Sequence, residues 1–170
     1  MMPKPADTRL PVLHWRTTPR SGDTRSVREL IQASGVFSPE EIDVAEELAR
    51  ERLDKGTSSD YEFLFAEAGE TLAGYACFGR IPLTRASYDL YWIVVGPDQQ
   101  RRGVGQQLLA RVEDVLRARG GGNLYVETSS RPSYEAARRF YTSAGYRECG
   151  RFPDFYAPGD AKVVFVKRLP

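Results

Sequence analysis

The stretch Gln100-Arg101-Arg102-Gly103-Val104-Gly105 sits between an apolar run and an amphipathic segment. The run is Tyr88-Asp89-Leu90-Tyr91-Trp92-Ile93-Val94-Val95, and the amphipathic segment begins at Gln106. Backbone N–H groups at a helix start lack intrahelical partners, and the helix dipole adds partial positive charge there. Gly103 and Gly105 remove Cβ atoms, so an anion can approach the backbone closely. Arg101 and Arg102 add charge. The chemistry is that of a pyrophosphate cradle. It is not a Walker A loop, which needs Gly-Lys-Ser/Thr, nor a dinucleotide fingerprint, because Leu108 stands where the third glycine belongs.

Other chemistries are excluded by count. The 170 residues contain one histidine, His14, and two cysteines, Cys77 and Cys149. These cannot supply a zinc finger or ribbon, and no metal site is expected. A catalytic histidine could only be His14, which reads as a strand residue; in an enzyme, proton transfer is expected to rest on carboxylates, tyrosine or water. Two distant cysteines are expected as reduced, partly buried thiols in a cytoplasmic protein. No apolar run is long enough to span a membrane, and MMPKPADTRLP lacks the apolar core of a signal peptide. The net charge of +1 is uneven. Eleven acids face three bases from Glu40 to Glu70, and ten arginines face six acids from Asp98 to Arg151. The arginines alternate with acids rather than forming one stripe, so no nucleic-acid partner is expected.

The elements that must hold the loop follow from periodicity. Residues 1–9 read as a flexible arm and 10–170 as a single domain. Leu10–Trp15 is a first strand, and 24–34 and 38–54 are helices. The second of these opens on Ser38, Pro39 and Glu41, a capping box. Tyr61–Ala68 and Thr71–Arg80 form a hairpin. Tyr88–Val95 reads as a strand buried on both faces. Gln106–Arg119 is a helix stopped by Gly120-Gly121-Gly122, and Leu124–Thr128 is a short strand. Tyr134–Ala144 is a helix stopped by Gly145, and Tyr146–Phe152 and Lys162–Lys167 are closing strands. The order β-α-α-β-β-β-α-β-α-β-β predicts a mixed α/β fold with helices on both faces. Tyr88–Thr128 should form a parallel crossover.

Val95-x-Pro97-x-x-Gln100-x-x-Gly103-x-Gly105, at a strand-to-helix junction, resembles the acetyl-coenzyme A motif of the GNAT N-acetyltransferases. Ala137-x-x-x-Tyr141-x-x-x-Gly145-Tyr146 resembles that family's later helix. The likeness runs from Leu10 onward and is densest from Tyr88 to Tyr146. It implies a mostly antiparallel central sheet and acetyl-CoA as cofactor. Backbone groups of Ile93, Val94 and Val95 would hold the pantetheine arm. Gln100 and the amides of Arg101, Arg102, Gly103, Val104, Gly105 and Gln106 would surround the pyrophosphate. Many members carry asparagine where this chain has Tyr134, and Ser133 is the substitute for that pantetheine contact.

The resemblance implies transfer of an acetyl group to a primary amine of a small molecule or peptide. An ammonium has no lone pair, so the site needs a base. It also needs an oxyanion donor, expected at a backbone N–H near Val94, and an acid for the leaving thiolate. The family places the acid at Tyr141. For the base, Glu127 resembles the glutamate of the ribosomal-protein N-terminal acetyltransferases. Asp89, eleven residues before Gln100, has the spacing of the histone-acetyltransferase glutamate. Alternation puts Asp89 on the face of Tyr91, Ile93 and Val95, where desolvation would raise its pKa. Glu127, Asp89 and a water relay stand level at this point. On the acceptor side, Pro153–Asp160 reads as a loop in which Phe155 and Tyr156 form an aromatic wall and Asp154 and Asp160 attract a cation. The acidic helix 38–54 is a further cation attractor. A homodimer is compatible with the family. Two other readings stay open: a non-catalytic acyl-CoA sensor, and an acyltransferase using another acyl-CoA.

Overall fold

The computed structural model describes residues 12–170. The expected arm and the first two residues of the expected first strand lie outside these. The elements are β1 (His14–Arg16), α1 (Asp23–Ser34), α2 (Pro39–Lys55), β2 (Glu62–Ala68), β3 (Thr71–Arg80), β4 (Ser87–Val95), α3 (Val104–Ala118), β5 (Gly122–Ser129), α4 (Glu135–Ser143), β6 (Arg147–Ala157) and β7 (Asp160–Leu169). The strands form one sheet in the order β1-β2-β3-β4-β5-β7-β6. Only the β4–β5 pair is parallel among the described residues. This is the mixed, mostly antiparallel α/β sheet expected.

Strand alternation distributes the core to both faces. Phe63, Phe65, Tyr75 and Cys77 pack with Val27 and Ile31 of α1 and Ile42, Ala45 and Ala49 of α2. Leu64, Ala66, Ala76 and Phe78 turn the other way, onto Leu108, Val112 and Leu116 of α3. Phe63, Phe65 and Tyr75 are the largest fully buried side chains. Each buried side chain of this size contributes about 1.5–3 kcal/mol to the transfer balance.

The caps form as the residue types dictate. Glu41 N–H donates to Ser38 Oγ at 3.2 Å, and Ser38 N–H donates to Glu41 Oε2 at 2.7 Å. Gly145, with φ +86°, ends α4 in a conformation that side chains with a Cβ avoid.

Several expectations need correction. β4 is not buried on both faces: Tyr88, Leu90 and Val94 are buried, while Asp89, Tyr91, Ile93 and Val95 are only partly covered. α3 begins at Val104, inside the loop motif. A 3-10 turn, Pro132–Tyr134, precedes α4, because prolines fit a first turn better than a helix interior. β6 extends to Ala157, so the expected hairpin loop is mostly strand, turning at Pro158-Gly159. Cys149 is exposed and only Cys77 is buried.

Candidate active site

One irregularity in β4 organises the site. Leu90 lies opposite Phe78 and Trp92 opposite Cys77, so Tyr91 is an extra residue in the ladder. Such a bulge places two successive side chains on the same side and resets the alternation. Tyr91 and Trp92 both pack toward α1 and α2, whereas Ile93 and Val95 pack toward α3. Asp89 therefore does not share a face with Ile93 and Val95, as uniform alternation had predicted. It faces the α1–α2 side with Tyr91.

The second irregularity is a divergence. β4 pairs with β5 only from Ser87–Asn123 to Leu90–Val126. Beyond that point β5 pairs with β7 alone, through Glu127, Thr128 and Ser129. The stretch Tyr91–Val95 thus has a strand neighbour on the β3 side only. Its other edge offers backbone groups to a ligand lying along it.

That edge leads to the loop. Gly103, at φ +75°, is the N-cap of α3 and supplies no side-chain cap, so the first amides of the helix point into open space. Arg101 also has positive φ, at 57°. A hollow of about 360 Å³ is lined by Val95, Gln100, Gly103, Gly105, Gln106 and Phe140. Gln100 Nε2 donates to Val95 O at 3.4 Å, and Arg102 donates to Gln99 Oε1 at 3.3 Å, bracing the loop. A Cβ on Gly105 would fall 3.5 Å from the Phe140 ring, so that glycine holds the hollow open at its floor. Uncapped amides, two arginines and an open hollow fit a pyrophosphate. A larger hollow, about 430 Å³, lies around Trp15 and Arg111. Its polar side chains are spent on each other: Arg111 stacks on Trp15 at 4.3 Å, and Asp114 pairs with Arg117.

Tyr141 lies on the α3 side of the sheet, buried against Phe140, Tyr146 and Phe165. Burial alone pushes its phenol well above the ordinary range, so it stays protonated. Ser133 is exposed on the 3-10 turn. Tyr134 is buried and donates to Glu41 Oε1 at 2.9 Å. It also stands edge-on to Phe37, which stands edge-on to Trp92.

The two carboxylates come together. Asp89 pairs in register with Tyr125, so Glu127, two residues on, is its diagonal neighbour on the same face. Burial, then the Glu127 charge, raises the Asp89 pKa, while Lys162 opposes this. Glu127 is half-exposed and accepts from Lys162 Nζ at 3.0 Å. Lys162 lies 4.4 Å from the Phe155 ring centroid and 5.4 Å from that of Phe152. Phe155 and Tyr156 are exposed and edge-on to each other. The Tyr156 phenol, raised mainly by burial, also feels Glu127, Asp160 and Glu41.

The other expected cation attractors are engaged elsewhere. Asp154 Oδ1 accepts from Gly159 N–H at 2.6 Å, closing the hairpin tip. Asp160 is buried, accepting from Ser129 Oγ at 2.5 Å and pairing with Arg131. Asp43 and Glu46 of α2 are neutralised by Arg28. His14 is exposed on β1, 3.4 Å from Glu67, three strands from β4. Trp92, Phe37, Glu41 and Lys162 were not singled out from sequence as site residues, because the bulge and the strand register decide where they face.

The sheet thus splays beside an uncapped helix start. A sequence model of the Acetyltransferase (GNAT) family matches residues 25–146, and the chain belongs to that family. It is 33% identical over 107 residues to N-alpha-acetyltransferase RimI of Mycobacterium tuberculosis, covering 62% of this chain and 65% of that one. The first two curated relatives are matched over 31% and 65% of their lengths. A crystal structure of a GNAT-family acetyltransferase from Desulfovibrio desulfuricans superposes with a TM-score of 0.91 and 40% identity, covering 94% of this chain and all of that one. YncA of Salmonella typhimurium, solved with acetyl-CoA, shares the fold at a TM-score of 0.68 and 20% identity, covering 93% and 94%.

Proposed function

We propose that the chain transfers an acetyl group from acetyl-CoA to a primary amine. The observation that carries this reading is the divergence of β4 from β5 beside the uncapped N-terminus of α3. The amides from Gly103 to Gln106, with Arg101 and Arg102, hold the pyrophosphate. The free edge of Ile93–Val95 orients the pantetheine arm. When bound, acetyl-CoA supplies an activated thioester.

The amine enters from the α1–α2 face, between Phe37, Trp92 and Tyr134 on one side and Phe155 and Tyr156 on the other. Asp89 takes its proton. Burial raises the Asp89 pKa, and Asp89 has no ion pair among the described residues, whereas Lys162 occupies Glu127. Tyr141, held protonated by burial, donates to the departing sulfur from the opposite face. An N-terminal peptide amine is the first acceptor to try, on the name of the RimI relative. Its ordinary pKa of about 7.8 leaves much of it neutral near pH 8.

Thiol release from acetyl-CoA tests the reading, using an alanine-initiated peptide, a polyamine and an amino sugar as acceptors. Acetylated product on at least one of them is expected. Tight acetyl-CoA binding with no product on any of them overturns it.

A further inference from the structure

Three charged side chains run diagonally across three adjacent strands on the α1–α2 face. They are Asp89 on β4, Glu127 on β5 and Lys162 on β7. Asp89 is in register with Tyr125, two residues before Glu127; Glu127 is in register with Val164, two residues after Lys162. Diagonal neighbours on one face lie within reach of long side chains. The row is asymmetric: Lys162 binds Glu127 directly, and Asp89 has no cation of its own.

Lys162 is held in place from the other side. Phe152 is its cross-strand partner on β6, and the Phe152 and Phe155 rings both flank the ammonium. Its side chain is only 17% exposed, against 51% for Glu127. A lysine pinned by two aromatic faces and one carboxylate loses little further freedom when it pairs.

We propose that Lys162 is a positioning residue that sorts the two carboxylates, holding Glu127 as an ion pair so that Asp89 receives the amine proton. The inference rests on the acetyl-transfer reading given above. Two uncompensated carboxylates that feel each other's charge would titrate as a coupled pair, and neither would be a defined base. Lys162 breaks that symmetry. It cancels most of the Glu127 charge, so Asp89 faces a moderate rather than a full anionic field.

The other groups facing this row do not replace Lys162. From β4 itself, Tyr91 faces Asp89, with Tyr61 and Asp60 beyond it. Tyr156 faces Glu127 from β6, with Asp160 and Glu41 on its far side. Asp160 is already paired with Arg131, and Glu41 is hydrogen-bonded to Tyr134. Glu51 and Glu47 of α2 act on Tyr61, and neither is among the charges that shift Asp89. Among the described residues, Lys162 is the cation that acts on Asp89.

Carboxyl ¹³C NMR titration of the full chain reads the Asp89 midpoint without any acceptor, with Asp89→Asn to assign the signal. Lys162→Met should raise that midpoint by about one pH unit, and Glu127→Gln should lower it. Lys162→Met in the Glu127→Gln background should move the midpoint by less than Lys162→Met moves it in the wild type. Lys162→Arg should keep the wild-type value, and it stands in if the methionine variant fails to fold. An unmoved midpoint in Lys162→Met overturns the proposal, as does a Lys162→Met shift that is undiminished without Glu127. Failure of the acetyl-transfer reading shows separately, as absence of product on the amine panel.

Discussion

Tyr134 Oη donates to Glu41 Oε1 at 2.9 Å, while the other oxygen of Glu41 caps α2. One carboxylate thus closes a helix and ties the turn before α4 to it, across 93 positions of sequence. Tyr134→Phe should cost about 1 kcal/mol of stability, the usual value of such a bond. With an amine acceptor identified, it should raise the acceptor KM and leave acetyl-CoA affinity alone. A changed cofactor affinity would instead place Tyr134 on the pantetheine side.

Gly103→Glu should abolish acetyl-CoA binding. It puts a side chain where φ is +75° and a negative charge on the amides meant for phosphate. Isothermal titration with acetyl-CoA checks this, and retained affinity would remove the loop from the cofactor site.

Tyr141→Phe should lower kcat by roughly ten- to a thousand-fold and leave acetyl-CoA affinity intact. Its phenol is pushed up by burial alone, so the alkaline limb of the pH–rate profile should not belong to it. An unchanged kcat would reduce Tyr141 to a packing residue.

Asp89 has a raised pKa, and the sign of its effect on stability follows. The folded state binds this proton more tightly than the unfolded chain does. Its contribution is therefore fully present below about pH 3.9 and is lost as pH rises through the folded value. Asp89→Asn should raise Tm near pH 7.5, have little effect near pH 3.5, and remove the acidic limb of kcat/KM. If Glu127→Gln removes that limb and Asp89→Asn does not, the base is Glu127.

Glu113 is buried on α3, accepting from Lys167 at 2.9 Å, Arg117 at 2.9 Å and the Tyr146 hydroxyl at 3.1 Å. Glu113→Ala leaves Lys167 without its counter-charge and should cost about 3–5 kcal/mol by chemical denaturation. Tyr146 is edge-on to Tyr141, so kcat should fall as well, in the fraction that remains folded.

The loop and caps were legible because glycine, proline and serine act locally. Gly103-Val104-Gly105 announces a helix start, and Ser38-Pro39-Glu41 specifies its own hydrogen bonds. The carboxylates were half legible. Asp89 and Glu127 stood out by type, but their adjacency needs the β4–β5 register, which no local pattern prints. Lys162 was hidden for the same reason, being one of two lysines in the closing strand. Asp154 and Asp160 misled, since a carboxylate in a turn looks alike whether it binds a ligand or its own backbone. The bulge was invisible because an unbroken apolar run reads the same with one residue more.

That extra residue makes Tyr91 a parity element. Upstream of it, odd-numbered β4 side chains point to the α1–α2 side; downstream, odd-numbered ones point to the α3 side. Were the bulge ironed out with Tyr91 kept in the ladder, Trp92 and Val94 would turn under α3, and Ile93 and Val95 would turn toward α1 and α2. A single backbone insertion thus decides which residues of one strand line each face of the sheet.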